Sequence, residues 1–129
     1  VLEIPAGTPE GAKAHFGLRL RFETDPADVR RDQENDVRGF VLLDVRPRKG
    51  FEEGHIPGAR SLPYADISPE TVAGWNPDLL YVTYCWSTAC NAGTKAGYLL
   101  ADLGFRVKEM IGGMEAWRKE GYPVDTGSV

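Results

Sequence analysis

The apolar positions of this chain change period several times, and the changes mark out an alternation of strands and helices. Phe40 to Leu43 is a continuous apolar run that leads into Asp44 and Val45, and a continuous run suits a parallel strand buried on both faces better than a half-exposed one. Leu79 to Tyr84 is a second run of this kind. Between them, Pro57-Gly58 marks a turn before a short strand over residues 59–62, and Ser68-Pro69-Glu70 predicts the opening of a short helix. Beyond the second strand, Ala92, Ala96, Leu99, Leu100 and Leu103 fall on one helical stripe, and Gly104 is suited to end that helix in the left-handed conformation. Phe105 to Glu109 reads as a last strand, and Gly113 to Glu120 as a last helix with Met114 and Trp117 turned inward.

Two more helices are signalled near the start. Thr8 can cap, Pro9 is preset for the first helical position and Glu10 suits its positive end. Ala12, Phe16 and Leu20 then share a face, which predicts an added helix packed on the body of the protein. Asp25-Pro26 repeats the cap-and-proline signal for a polar helix running to about Asn35. The whole pattern predicts an α/β fold with a parallel sheet of about five strands, helices on both faces and an extra N-terminal helix. Open sheets of this type hold ligands beyond the carboxyl ends of their strands. Cys85 follows one such end and Asp44-Val45-Arg46 closes another, so the two are expected at one rim.

Composition narrows the function classes. A length of 129 residues fits one domain, and 42% hydrophobic with 26% charged residues is ordinary for a globular protein. The net charge of −4, from 15 basic and 19 acidic residues, provides no basic stripe for general nucleic-acid or membrane binding. No run approaches the ~18 apolar residues that span a bilayer. Two cysteines are too few for a disulfide scaffold, so a cytoplasmic protein is the simpler expectation. No signal peptide is visible, and the start at Val1 leaves a removed segment open.

Candidate chemistry centres on the segment Tyr81-Val82-Thr83-Tyr84-Cys85-Trp86-Ser87-Thr88-Ala89-Cys90-Asn91. A β-type run delivers Cys85 into a short loop of mostly small residues, and the loop feeds a helix. Loop amides and the positive end of that helix would favour a thiolate at Cys85, which makes it a candidate nucleophile; the alternative is an inert buried cysteine at a strand end. The same amides could hold an anionic leaving group. No G-x-S-x-G frame or H-E-x-x-H helix competes with it. Two cysteines five positions apart and two distant histidines make a poor ligand set, so no metal and no cofactor is expected.

The flanks of this loop carry a family resemblance. Asp44-Val45-Arg46 followed by Phe51-Glu52-Glu53-Gly54-His55-Ile56-Pro57-Gly58-Ala59 resembles the first signature of the rhodanese (sulfurtransferase) domain family. Gly112-Gly113-Met114-Glu115-Ala116-Trp117 with Gly121-Tyr122-Pro123 resembles its C-terminal signature, and the cysteine lies between the two in the family's order. The resemblance covers residues 26–125. It implies a three-layer rhodanese-like domain there; residues 1–25 fall outside it and are expected, from their own pattern, to form an N-terminal helical extension packed on the domain, and 126–129 a tail. It also implies a sulfurtransferase that moves sulfur from thiosulfate or a persulfide, small-molecule or protein-borne, through a persulfide on Cys85 to a thiol or cyanide-type acceptor. Cys85 to Cys90 would be the family's six-residue cradle. Trp86, Ser87, Thr88, Ala89, Cys90 and Asn91 are then the substrate-binding residues, and a monomer or homodimer is expected.

Departures from the family pattern shape the alternatives. The loop lacks the Arg or Lys that thiosulfate-using members often carry beside the cysteine, so a small dianion would be held less strongly and another persulfide becomes a candidate donor. Trp86 reads equally as an apolar wall against a larger substrate or as a cover over the loop. Cys90 could resolve a persulfide or an oxidised Cys85; the structural reading, with its side chain turned into the body, ranks ahead. A rhodanese-like binding or redox-sensing module using Cys85 and Cys90 is therefore the second reading of the whole chain. Related phosphatases and arsenate reductases place arginine six positions after the cysteine. Asn91 stands there, and an amide lacks the bidentate cationic fork, so this reading ranks third.

Supporting roles go to three residues. Asp44 is expected to tie strand to loop. Arg46 could supply a remote positive charge, but pairing with an acidic neighbour ranks ahead. His55, in a Gly-His-Ile-Pro-Gly turn, is expected to fix that turn by backbone hydrogen bonding rather than serve as a base. His15 is expected to be peripheral and Trp117 to be core.

Overall fold

A computed structural model of the chain describes residues 1–128, so Val129 of the expected tail lies outside the described residues. Five parallel strands form the central sheet: β1 (Glu23–Thr24), β2 (Phe40–Asp44), β3 (Arg60–Ser61), β4 (Leu80–Tyr84) and β5 (Arg106–Met110), in the order β1-β5-β4-β2-β3. The long apolar runs β2 and β4 lie side by side, with Phe40 opposite Leu80 and Asp44 opposite Tyr84. That register brings the ends of both strands to one level, so the segments that follow them meet at one rim.

Successive side chains of a strand point to opposite faces, and both faces here are buried. Leu42, Val82 and Tyr84 pack on one side with Phe51, Ile56, Met114 and Trp117. Leu43, Val45, Tyr81 and Cys85 pack on the other with Ala96 and Leu100. The first layer comprises α2 (Pro26–Glu34), α3 (Arg48–Glu53) and α5 (Gly113–Lys119); the second is built on α4 (Ala92–Asp102). Helix α4 ends one residue short of its expected limit, and the 3-10 turn Tyr64–Asp66 packs beside it.

Three local expectations require correction. The segment after Ser68 is a series of turns rather than a helix. Ser68 and Thr71 exchange hydrogen bonds through their hydroxyls, in competition with a helical ladder, and the left-handed Gly74 follows (φ +80°). A helix appears instead at α3, inside the first family-like motif. The N-terminal helix α1 (Pro9–Phe22) starts on the Thr8 cap as expected, but it buries none of its residues. Phe16 is 54% exposed and Leu20 72% exposed. The reason lies in the spacing, because Phe16, Leu18, Leu20 and Phe22 recur every second residue and are spread around the helix instead of forming one stripe. Residues 23–24, expected to belong to the extension, instead pair with Glu109 and Met110 as the edge strand β1. No helix among the described residues is long and apolar enough to cross a membrane.

One buried polar network ties the carboxyl ends of β2 and β4. Asp44 and Arg46 form an ion pair at 2.6 Å, with side chains 0% and 1% exposed. Both Asp44 oxygens are used: Oδ1 accepts from the Arg46 backbone N–H and Nε, and Oδ2 accepts from Nη2 and from the Tyr84 hydroxyl at 2.9 Å. Nη2 of Arg46 also donates to the Gly54 carbonyl, and the Tyr84 oxygen accepts the Ile56 N–H. The network thus clamps the 54–56 turn onto the strand ends. Asp44 has the tying role expected of it.

Two outcomes follow. Leu100, fully buried between α4 and the sheet, leaves a cavity when truncated, so Leu100→Ala is expected to lower unfolding stability by about 2–5 kcal/mol in urea titrations. Burial first, and then the Asp44 carboxylate, push the Tyr84 phenol far above its ordinary value of about 10. The folded protein therefore holds this proton more tightly than the unfolded chain does. Its contribution to stability is complete below pH ~10 and declines as pH rises further. The urea midpoint is expected to fall above that pH more steeply in the native protein than in Tyr84→Phe; parallel curves would refute the assignment.

Candidate active site

Strand β4 ends at Tyr84 and passes Cys85 to the rim, where Cys85 is 5% exposed. The loop beyond is shaped by its own polar groups. The Cys90 N–H donates to the Ser87 carbonyl at 3.1 Å, and the Ala89 N–H to the Ser87 hydroxyl at 3.2 Å, which curls the chain back on itself. Helix α5 holds the loop from below: the Met114 and Glu115 N–H groups, unpaired within their own helix, donate to the Cys85 and Trp86 carbonyls at 2.9 and 2.8 Å. This approach requires Gly113. A Cβ there would lie 2.7 Å from the Cys85 oxygen and from the Trp86 carbonyl carbon, and the residue has φ +62°. The Gly-Gly pair of the C-terminal motif is thus a seat for the cysteine loop.

Curling of the loop has a consequence that runs against the expectation for Cys90. Its side chain packs against the core beside Cys85 and also reaches it: the Cys85 and Cys90 sulfurs are bonded, with Cα atoms 6.5 Å apart, within the span that a disulfide bridges. The turn from Ser87 to Cys90 supplies the reversal that a straight cradle would lack.

Cys85, Ser87, Thr88, Cys90 and Asn91 line one cleft of about 230 Å³. Among the described residues, the N–H groups of Trp86, Ser87, Thr88 and Asn91 donate to no protein acceptor, and Asn91, at the start of α4, makes no side-chain cap. Trp86 and Ala89 do not line this cleft. The indole of Trp86 instead covers the buried ion pair, with the Arg46 guanidinium 4.4 Å from its ring centre. A Cβ on Gly50 would strike that ring at 2.9 Å. Arg46 is therefore committed to Asp44, Gly54 and Trp86, in accord with the pairing expected of it. His55 also stands away from the cleft: its Nδ1 is 2.8 Å from the Phe51 carbonyl, its ring stacks on Phe51, and its backbone pairs with Asp125. This is the turn-fixing role expected of it.

Sequence reading missed the acidic wall of the cleft. Glu109, near the end of β5, lines it together with Thr94. The Thr94 hydroxyl donates to Glu109 Oε1 at 2.8 Å, and Oε2 lies so close to Gly93 that a Cβ there would meet it at 2.9 Å. The first turn of α4 therefore already has a carboxylate beside it, where its dipole would otherwise favour an incoming anion. The sequence signal was faint: Glu109 directly precedes the Met110-Ile111-Gly112-Gly113 segment, and only the parallel pairing of β4 with β5 carries it to the cysteine's level.

Comparison with known proteins agrees with this geometry. The family model for the rhodanese-like domain matches residues 25–120. The thiosulfate sulfurtransferase GlpE of Pseudomonas putida is 34% identical over 68% of this chain and 77% of its own length. The HTH-type transcriptional regulator Rv0324 of Mycobacterium tuberculosis is 36% identical over 78% of this chain, but the match spans only 42% of that protein. Among solved structures, the BH2092 protein of Bacillus halodurans superimposes with a TM-score of 0.89 at 42% identity, covering 94% of this chain and 88% of that one. The architecture, the two flanking motifs and the match over most of the chain lead to one conclusion: this chain belongs to the rhodanese-like domain family.

Proposed function

We propose that the chain is a sulfurtransferase that carries a sulfane sulfur as a persulfide on Cys85. The observation that carries this reading is the position of Cys85, at the carboxyl end of a central strand and in a cleft lined by loop residues whose amides have no protein acceptor. With the cysteine pair reduced, the Cys85 thiolate attacks the outer sulfur of a donor. The new bond to Cys85 Sγ forms as the donor's own S–S bond breaks, and the leaving group departs with the electron pair. A thiol or cyanide-type acceptor then takes the sulfur and returns the thiolate. Loop N–H groups stabilise the negative charge at each stage.

The donor is a persulfide in preference to thiosulfate. The cleft offers dipoles but no cationic side chain, and the Glu109 carboxylate repels a dianion more than a monoanion. A second reading, a redox-sensing module, draws on the Cys85–Cys90 bond, which occupies the proposed nucleophile.

Intact mass tests the first reading. After reduction and removal of the reductant, the Cys90→Ser variant, in which Cys85 is the one remaining thiol, is expected to gain one sulfur atom from cysteine persulfide, and less extensively from thiosulfate; cyanide removes it. The native chain without prior reduction is expected to gain none. Cys85→Ser should gain nothing while keeping its circular dichroism. Absence of any gain by Cys90→Ser from either donor, with Cys85 free and reactive, would overturn the carrier reading in favour of the sensor. Gly113→Ala is expected to displace the loop and slow sulfur loading on the order of 100-fold, the scale at which a shift of about 1 Å acts on a reacting group; an unchanged loading rate in a folded variant would contradict the seat assigned to Gly113.

A further inference from the structure

Resting on the carrier reading above, we propose that Cys90 is a resolving thiol that discharges the Cys85 persulfide as hydrosulfide, so that the chain reduces sulfane sulfur by itself when no acceptor is at hand. Three observations support it. The two sulfurs reach each other across the curled loop, with Cα atoms 6.5 Å apart. The turn that brings them together is held by the Cys90 N–H on the Ser87 carbonyl, so reaching contact requires no rearrangement of the loop. Both side chains line one cleft, and Cys90 is the less buried of the two.

The contact specifies which sulfur is attacked. Cys90 Sγ meets Cys85 Sγ itself, which becomes the inner sulfur of the persulfide. The Cys90 thiolate therefore forms its bond to Cys85 Sγ, and the bond from Cys85 Sγ to the outer sulfur breaks. The outer sulfur takes the proton that the Cys90 thiol gives up and leaves with the electron pair as HS⁻, reduced by two electrons. The two cysteines are oxidised together to the disulfide, and no further reactant enters. Hydrosulfide is a good leaving group, because its conjugate acid is more acidic than an ordinary cysteine thiol. A tethered thiol also competes at an effective concentration that a free acceptor rarely matches.

Return to the resting state requires an external dithiol. Attack at the more accessible Cys90 sulfur expels the Cys85 thiolate, and closure of the external disulfide releases Cys90 as a thiol. The nucleophile is thereby regenerated in its reactive form.

Benzenethiosulfonate separates the steps, because loading releases benzenesulfinate and discharge releases hydrosulfide. Reduced protein, freed of reductant under anaerobic conditions, is mixed with it, and both products and the intact mass are followed. The native chain is expected to release equimolar sulfinate and hydrosulfide and to end two hydrogens lighter. Cys90→Ser and Cys90→Ala should release sulfinate alone and keep the added sulfur until cyanide is supplied. A native chain that releases sulfinate but retains its sulfur would overturn the resolving step and leave the carrier reading standing. Failure of the native chain and of both variants to release sulfinate would overturn the carrier reading and this inference with it.

Discussion

The rim of this domain is organised around a carboxylate that never meets water. Asp44 ends β2, and its two oxygens gather the Arg46 side chain, the Arg46 backbone N–H and the Tyr84 hydroxyl of the neighbouring strand. Through Arg46 the same charge reaches the Gly54 carbonyl and, by the face of its guanidinium, the indole of Trp86. An ion pair without exposed surface has a high desolvation cost and is tolerated where further hydrogen bonds accompany it, as the Gly54 carbonyl and the Tyr84 hydroxyl do here. What the arrangement supplies is definition: β2, β4, the 54–56 turn and Trp86 of the cysteine loop are held to one another through one buried pair of charges.

The cleft beside this network combines two opposed electrostatic elements. Uncommitted loop amides and the start of α4 favour negative charge, while Glu109 sits at that same helix start and opposes it. The proposed preference for a persulfide donor over thiosulfate rests on this opposition. Relatives named for thiosulfate transfer share the domain with this chain, and in this chain Glu109 lines the cleft.

Much of this was legible in the sequence, and the remainder was obscured for identifiable reasons. The apolar runs at Phe40 and Leu79 are long enough to admit one interpretation, and the stripe from Ala92 to Leu103 has one period, so β2, β4 and α4 lie where the pattern puts them. The cysteine at the strand end and the Asp44 tie followed from topology. The segment at Ser68 misled because Ser and Pro begin helices and turns alike, and the outcome depended on Thr71, three residues on. Phe16 and Leu20 suggested a buried face because Leu18 and Phe22, which spoil it, were left out of the stripe. Glu109 and the reach of Cys90 depend on neighbours brought together by strand pairing and by a turn of the loop, which linear spacing does not encode.

The sheet ends on both sides in strands of only two residues, β1 and β3. A long bare edge exposes a row of unpaired N–H and C=O groups to which a foreign strand can add, and short edges are one way in which proteins avoid this. The three five-residue strands, among them the apolar β2 and β4, are all interior. Here β3 pairs only with Leu43 and Asp44, and β1 only with Glu109 and Met110, so each border is stepped, two residues of edge strand followed by three of the strand behind it, and no five-residue edge runs unbroken for a foreign strand to copy.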